Sequence, residues 1–248
     1  MSAGAAPPAD LSEVRVLLCD ADGCLFPSEE PAFEASAVVT NRLLADYGID
    51  RRFSADELRA AATGKNFRAT ALELAGAHGV RLDLDDLERR VEDERREVTE
   101  HLRRVLAPDP EVVEPLTALG ARYGLAVVSS SALARLDACF EASGLAGLFP
   151  AAVRYSAEDS LEMPTSKPDP AIYALAGQEL GVAGPQALAV EDSPTGALSA
   201  VRAGLPAVGM LQYVAPAERE ARVAALHDAG VAAIVSSWRE LAGLLGSA

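Results

Sequence analysis

Asp20 and Asp22 stand one residue apart in the stretch Val14 to Phe26, Val-Arg-Val-Leu-Leu-Cys-Asp-Ala-Asp-Gly-Cys-Leu-Phe. Two carboxylates at that spacing can bind a hard cation, serve as a nucleophile, or work as acid and base, and Gly23 lets the backbone turn close to a ligand. Asp-Ala-Asp-Gly also suits a plain turn. Three further groups could do chemistry: Ser129 with Ser130, Lys167, and Glu191 with Asp192. Each has an ordinary explanation as well, because serines cap helices, Glu-Asp-Ser-Pro makes a good helix start, and a lysine before Pro-Asp-Pro is commonly exposed.

The residues around each group show which elements must carry it. Val14 to Cys19 is an apolar, β-branched run that stops at Asp20, the pattern of a buried strand delivering both carboxylates to its C-terminal end, where open α/β sheets bind ligands. Leu125 to Val128 is a second short run ending in Ser129-Ser130-Ser131, and Ala187 to Val190 is a third ending in Glu191-Asp192-Ser193-Pro194. Further strands are expected at 151–154, 206–210 and 232–235. Helices are predicted between them. Asp109-Pro110 and Asp169-Pro170 each offer an N-cap followed by proline at the first helical position, which fixes Lys167 in the loop just before a helix. This alternation predicts an α/β fold with a mostly parallel sheet and helices on both faces, so that the polar strand ends converge on one edge.

Between the first strand and the rest, only helical patterns occur. Ala35, Val38, Val39, Leu43 and Tyr47 recur near the helical period, with Gly48 placed to stop the helix. Ser54-Ala55-Asp56-Glu57 fits a capping box for a second helix that Thr63-Gly64 ends, and a third runs from about Asn66 to His78. A fourth, from about Asp85 to Leu106, carries one apolar stripe of Leu84, Leu87, Val91, Val98, Leu102 and Val105. Asp85 with Arg89, Asp86 with Arg90 and Glu92 with Arg96 are spaced for ion pairs on a solvated face. The expected organisation is a core of 11–26 and 107–248, an inserted α-helical module at 27–106, and a loose tail at 1–10.

At 248 residues the chain is long enough to bury a sizeable core. Its net charge of -15 argues against nucleic acid or an anionic membrane surface as a partner. An acidic protein handling a phosphate would need positive charge concentrated locally, by a metal ion and one or two lysines. Cys19, Cys24 and Cys139 are odd in number and lack metal-ligand spacing, as expected of reduced thiols in a cytoplasm. Met1 to Asp10 has neither the charged nor the apolar region of a signal peptide, and no window approaches the roughly 18–20 apolar residues of a membrane span. A cytoplasmic monomer is the expectation.

Taken in order, Asp20-Ala21-Asp22-Gly23, Ser129, Lys167 in Ser-Lys-Pro-Asp-Pro, and Glu191-Asp192-Ser193-Pro194-Thr195-Gly196 make the sequence resemble the haloacid dehalogenase superfamily, in its phosphatase and β-phosphoglucomutase-like branch with a helical cap. The motifs span nearly the whole chain. The resemblance implies a Rossmann-like core with Pro27 to Leu106 as a mobile cap. It implies that Asp20 is the nucleophile, forming an aspartyl phosphate, and that Asp22 protonates the leaving oxygen and then deprotonates water. By the same resemblance Ser129 and Lys167 hold phosphoryl oxygens, assisted by the Ser130 backbone. Mg²⁺ would be held by Asp20, the backbone carbonyl of Asp22 and Asp192, with Glu191 as a further ligand or a partner behind them.

Asp22 speaks against dehalogenases, which lack the second acid, and against phosphonatases, which replace it with a small residue and use a cap lysine. Phosphomutases share both acids but typically carry a histidine where this chain has Ala32, which favours a phosphatase acting on a small, sugar-phosphate-like metabolite. Cys24 and Pro27 depart from the family pattern and alter the hinge into the cap. Gly64, Lys65, Asn66 and Arg68 stand where related caps place a substrate loop, against the alternative of an interhelical turn. The loop 156–166, with Glu158, Asp159, Glu162 and Met163, either lines an entrance or has no role. A member that binds a phosphorylated ligand or a partner without catalysis is the second expectation.

Overall fold

In the computed structural model, which describes residues 11–62 and 65–246, the chain divides into two compact units, one of 11–27 with 107–246 and the other of 28–106. In chain order, β1 (Val16–Cys19) is followed by four helices of the second unit, α1 (Glu29–Asp46), α2 (Ala55–Ala62), α3 (Phe67–Ala77) and α4 (Leu84–Val105). The first unit then resumes with α5 (Pro110–Gly120), β2 (Gly124–Ser129), α6 (Leu133–Ala142), β3 (Arg154–Ser156), α7 (Ala171–Leu180), β4 (Ala187–Glu191) and α8 (Pro194–Arg202). It ends with β5 (Ala207–Met210), α9 (Arg219–Asp228), β6 (Ala233–Val235) and α10 (Trp238–Gly246).

The six strands form one parallel sheet in the order β3-β2-β1-β4-β5-β6. Leu18, Val128 and Ala189 join Ile172, Ala176, Ala197 and Leu226 in an apolar cluster on one face. Leu17, Val127, Leu188 and Val190, which alternate with them and point the other way, are fully buried too. Both faces are therefore covered, which is why these strands read as unbroken apolar runs. The strand order reverses between β1 and β4, and in sheets of this Rossmann-like kind the crevice beyond the C-terminal ends at that point takes the ligand.

The strand expected at 151–154 begins only at Arg154. Pro150 starts a 3-10 turn over Ala151–Val153, and pairing with β2 covers Arg154–Ser156. Arg154 is buried because its Nε donates to the Phe149 carbonyl at 2.8 Å, its guanidinium lies 4.5 Å from the Phe140 ring centre, and it pairs with Asp137.

In the helical unit the capping box forms, with the Glu57 N–H donating to Ser54 Oγ at 3.2 Å and the Ser54 N–H to Glu57 Oε2 at 2.9 Å. Leu43, Leu44, Ala71, Ala75 and Leu87 form its interior. The α4 stripe is buried at Leu87, Val91, Val98 and Leu102 but exposed at both ends, Leu84 and Val105. Of the ion pairs expected on this helix Asp86 with Arg90 forms, while Arg89 and Arg96 choose an acid three residues back. Asp86 takes both Arg89, at 3.0 Å, and Arg90, at 3.7 Å, while Arg96 pairs with Asp93 at 2.5 Å, because residues three apart on a helix are as close as those four apart. Among the described residues no helix is long and apolar enough to cross a membrane.

Candidate active site

The two central strands end in acids. Asp20 leaves β1, and Glu191 and Asp192 leave β4. Because Cys19 lies opposite Val190 in a parallel register, the three carboxylates meet with oxygens within 4.8 Å of one another. All three residues are buried, and like charges so close in a low dielectric must be compensated. Lys167, in the loop before α7, supplies part of the compensation. Its Nζ donates to Asp20 Oδ1 at 2.5 Å, Glu191 Oε1 at 2.6 Å and the Val128 carbonyl at 2.7 Å. Arg222 of α9 donates to the Asp192 carbonyl at 2.7 Å and to Asp192 Oδ2 at 3.1 Å. The Tyr173 hydroxyl of α7 donates to Glu191 Oε1 at 2.5 Å.

Glu191 also packs against the bare α-carbon of Gly196 in the first turn of α8, where a Cβ would lie 1.9 Å from Oε2. Three carboxylates against Lys167 and Arg222 leave one negative charge in excess. Burial pushes the Asp20 carboxyl up, Lys167 opposes this, and Glu191 and Asp192 add to it, so Asp20 stands well above the usual carboxylate range. Burial works against the Lys167 ammonium, but Asp20 and Glu191 outweigh it and push its pKa above the usual lysine value. An all-oxygen donor set with surplus negative charge fits a hard divalent cation.

The carboxylate of Asp22 turns the other way. Ser131 Oγ donates to its Oδ2 at 2.7 Å and Arg135 Nη2 to its Oδ1 at 2.8 Å. The turn that follows Asp20 is tight, with the Leu25 N–H donating to the Ala21 carbonyl and the Gly23 N–H to the Phe26 carbonyl, each at 2.9 Å. Gly23 is required there twice over. Its φ is +78°, and a Cβ would lie 2.7 Å from Asp192 Oδ2. Trp238, fully buried at the start of α10, holds the turn from behind by donating Nε1–H to the Cys24 carbonyl at 3.0 Å.

Ser129 ends β2, and its Oγ accepts the Ser131 N–H at 3.0 Å. Ser130 Oγ accepts the Lys167 N–H at 3.2 Å, so the serines and the lysine are tied together at the end of the strand beside β1. Of the residues named in the helical unit, Gly64 lies outside the described residues. Lys65 pairs with Glu73 at 2.7 Å, Asn66 caps α3 by accepting the Ala69 N–H at 2.9 Å, and Arg68 pairs with Glu88. All three are engaged by their own unit.

Sequence reading misses Tyr173, Arg222 and Arg135, each in a helix where nothing local marks it. It also leaves the role of Asp159 open. Asp159 Oδ2 accepts the Leu133 N–H at 2.6 Å and so caps α6, whose own cap position holds Ala132.

No curated protein sequence matches the chain. Among solved structures it is similar to a HAD family hydrolase from Deinococcus radiodurans R1 with bound phosphate and sodium, at 27% identity over 95% of this chain and 96% of that one, with a TM-score of 0.69. It shares its fold with a predicted phosphoglycolate phosphatase from Haemophilus somnus, 21% identical over 94% of this chain and 98% of that one, with a TM-score of 0.73. CbbY from Rhodobacter sphaeroides in complex with xylulose-1,5-bisphosphate is 23% identical over 92% of this chain and 96% of that one, with a TM-score of 0.66. The family model for haloacid dehalogenase-like hydrolases matches residues 14–204, a span that takes in Asp20, Ser129, Lys167 and Asp192. The chain belongs to the haloacid dehalogenase-like hydrolases.

Proposed function

We propose that this hydrolase is a Mg²⁺-dependent phosphatase acting on a small phosphorylated metabolite through an aspartyl phosphate on Asp20, with 28–106 as its cap. The observation that carries the reading is the buried Lys167 ammonium shared between Asp20 and Glu191 at the β1/β4 switch point, with Asp22 held two residues on. A lysine and serines at that place suit a phosphoryl group, and a nucleophile beside an acid is more than binding alone requires. The phosphate and sodium in the Deinococcus radiodurans relative support the same ligand chemistry.

Asp20 attacks phosphorus while the ester P–O bond breaks with its electron pair on the leaving oxygen, and Asp22 gives that oxygen its proton. Water then attacks the aspartyl phosphate, Asp22 takes the water's proton, and the bond from phosphorus to Asp20 breaks, releasing phosphate. Ser129, Lys167 and the Ser130 backbone hold the phosphoryl oxygens throughout. Asp20, the Asp22 carbonyl and Asp192, with Glu191 against Lys167 behind them, would hold the cation. When bound, it supplies charge neutralisation for the transferring group. Cys19, Cys24 and Cys139 are buried and form no disulfide among the described residues, which fits a reducing compartment.

The test is phosphate release from a panel of sugar phosphates, nucleotides, phosphoglycolate and an aryl phosphate, with Mg²⁺ and with EDTA. Release that needs the metal and disappears in Asp20→Asn is the expected result. Release that survives Asp20→Asn, or none from any ester, would overturn the reading. Interconversion of hexose phosphates without release would place the chain with the mutases despite Ala32.

A further inference from the structure

We infer that Arg135 is a positioning residue which, with Ser131, fixes the orientation of the Asp22 carboxyl and leaves Oδ2 as the oxygen that handles the proton. The inference rests on the reading of Asp22 as acid and base. Its evidence is how the two oxygens of Asp22 are held. Arg135 Nη2 lies 2.8 Å from Oδ1 and Ser131 Oγ lies 2.7 Å from Oδ2. A guanidinium has only donors, so the oxygen it holds stays an acceptor. A serine hydroxyl donates or accepts by rotating, so Oδ2 can carry a proton or lack one without losing its partner. The two contacts make the carboxyl asymmetric: one oxygen is held by a group that only donates, the other by a hydroxyl that can donate or accept.

Both donors come from one segment whose placement is itself secured. The Ser131 N–H donates to Ser129 Oγ at 3.0 Å, tying the loop to the end of β2. Arg135 lies in the first turn of α6, and that end of the helix is pinned by Asp159, which accepts the Leu133 N–H at 2.6 Å. The Asp159 N–H in turn donates to Ser156 Oγ at 3.0 Å, at the end of β3. A chain of contacts thus runs from the sheet edge through the α6 terminus to Asp22. The side chains of Arg135 and Asp22 are only about a quarter exposed, at 26% and 24%, so the pair is shielded far more than an ordinary surface ion pair.

In the chemistry above, Oδ2 gives its proton to the leaving oxygen as the ester P–O bond breaks, and takes one from water as the second P–O bond forms. Arg135 acts through its hold on Asp22, so its loss should matter in proportion to how much the leaving group needs a proton.

The experiment measures kcat/KM, which reports steps through departure of the leaving group, on 4-nitrophenyl, 4-chlorophenyl, phenyl and 4-methoxyphenyl phosphate, with Mg²⁺. Wild type should show a shallow dependence on leaving-group acidity. Arg135→Met should lose on the order of 10²-fold on phenyl phosphate and less than about threefold on 4-nitrophenyl phosphate, with KM little changed. Arg135→Lys should recover most of the loss, and Ser131→Ala should steepen the dependence in the same sense, which keeps the test open if Arg135→Met does not fold.

Equal losses on all four esters in a variant with wild-type melting, or a change in KM alone, would overturn the inference. Asp22→Asn separates the two ideas. A steep dependence there with a wild-type dependence in Arg135→Met sinks the role of Arg135 only, whereas no added dependence in Asp22→Asn sinks the acid itself. A wild type that hydrolyses none of the series sinks both.

Discussion

Gly196→Ala should damage the site from behind, although on an ordinary helix this change is favourable. The new Cβ would fall 1.9 Å from Glu191 Oε2, 2.2 Å from Cδ and 2.3 Å from Oε1. Non-bonded atoms settle at roughly 3.5 Å, so the carboxylate would have to retreat by about 1.5 Å. A flexible surface glutamate could do that at little cost, but Glu191 is fully buried and its Oε1 already accepts from Lys167 at 2.6 Å and from Tyr173 at 2.5 Å. A displacement of that size breaks both bonds. Separating a buried pair costs about 3–5 kcal/mol and replacing a helical glycine by alanine returns about 1, which leaves a net loss of roughly 2–4 kcal/mol.

For a domain of this size that loss lowers the melting temperature by roughly 4–16 °C. Calorimetry on Gly196→Ala, with Gly243→Ala as the comparison, checks it. At Gly243, in α10, a Cβ meets nothing within 4 Å, so the same substitution should be neutral or stabilising. Phosphate release should fall with stability in the first variant and stay at the wild-type level in the second. Gly196→Ala melting at or above wild type with full activity would show that Glu191 is not held as described, and the derivation of the Lys167 environment would fall with it.

Two more outcomes follow from the charges. Mg²⁺ added to EDTA-treated protein should raise the melting temperature, reaching about 2.7 kcal/mol of added stability when the free ion stands at 100 times its Kd. Asp192→Asn should abolish the rise, and a melting temperature indifferent to Mg²⁺, Mn²⁺ and Ca²⁺ would show that the surplus charge at Asp20, Glu191 and Asp192 does not serve a cation. Burial, and then its 2.8 Å hydrogen bond to Asp109, pushes the Tyr213 phenol above its ordinary value. The folded state keeps that proton where the unfolded chain has lost it, so the contribution is whole below about pH 10 and is lost as pH rises beyond. Urea midpoints measured on either side of that pH should fall less steeply in Tyr213→Phe than in wild type; identical slopes would refute the assignment.

β1, β2 and β4 are legible in the sequence because each is buried on both faces and therefore written as an apolar run, and because an acid or serine at the end of such a run has no packing reason to be there. β3 is legible in its place but not in its bounds, since a buried arginine opens it and Ala151–Val153 turns rather than extends. The helical unit is readable in its caps and stripe but not in its ion pairs, because Arg89, Arg90 and Arg96 have acids both three and four residues away and the sequence cannot choose among them.

The site divides along the same line. Asp20, Lys167, Glu191 and Asp192 each have an ordinary local explanation and become visible only together, as polar groups at or beside the ends of successive apolar runs. Arg135, Tyr173 and Arg222 satisfy local expectation, as polar or aromatic residues on amphipathic helices do, and only the sheet register carries them onto Asp22, Glu191 and Asp192. Arg222 is thirty residues beyond Asp192 and Arg135 more than a hundred beyond Asp22, separations at which periodicity holds no information. The acids and the lysine of this crevice are therefore the ones a sequence displays, while the two arginines and the tyrosine that hold those acids are hidden in ordinary helix faces. Substitutions at the hidden positions would pass for surface or packing changes in a sequence and act on the chemistry in the fold.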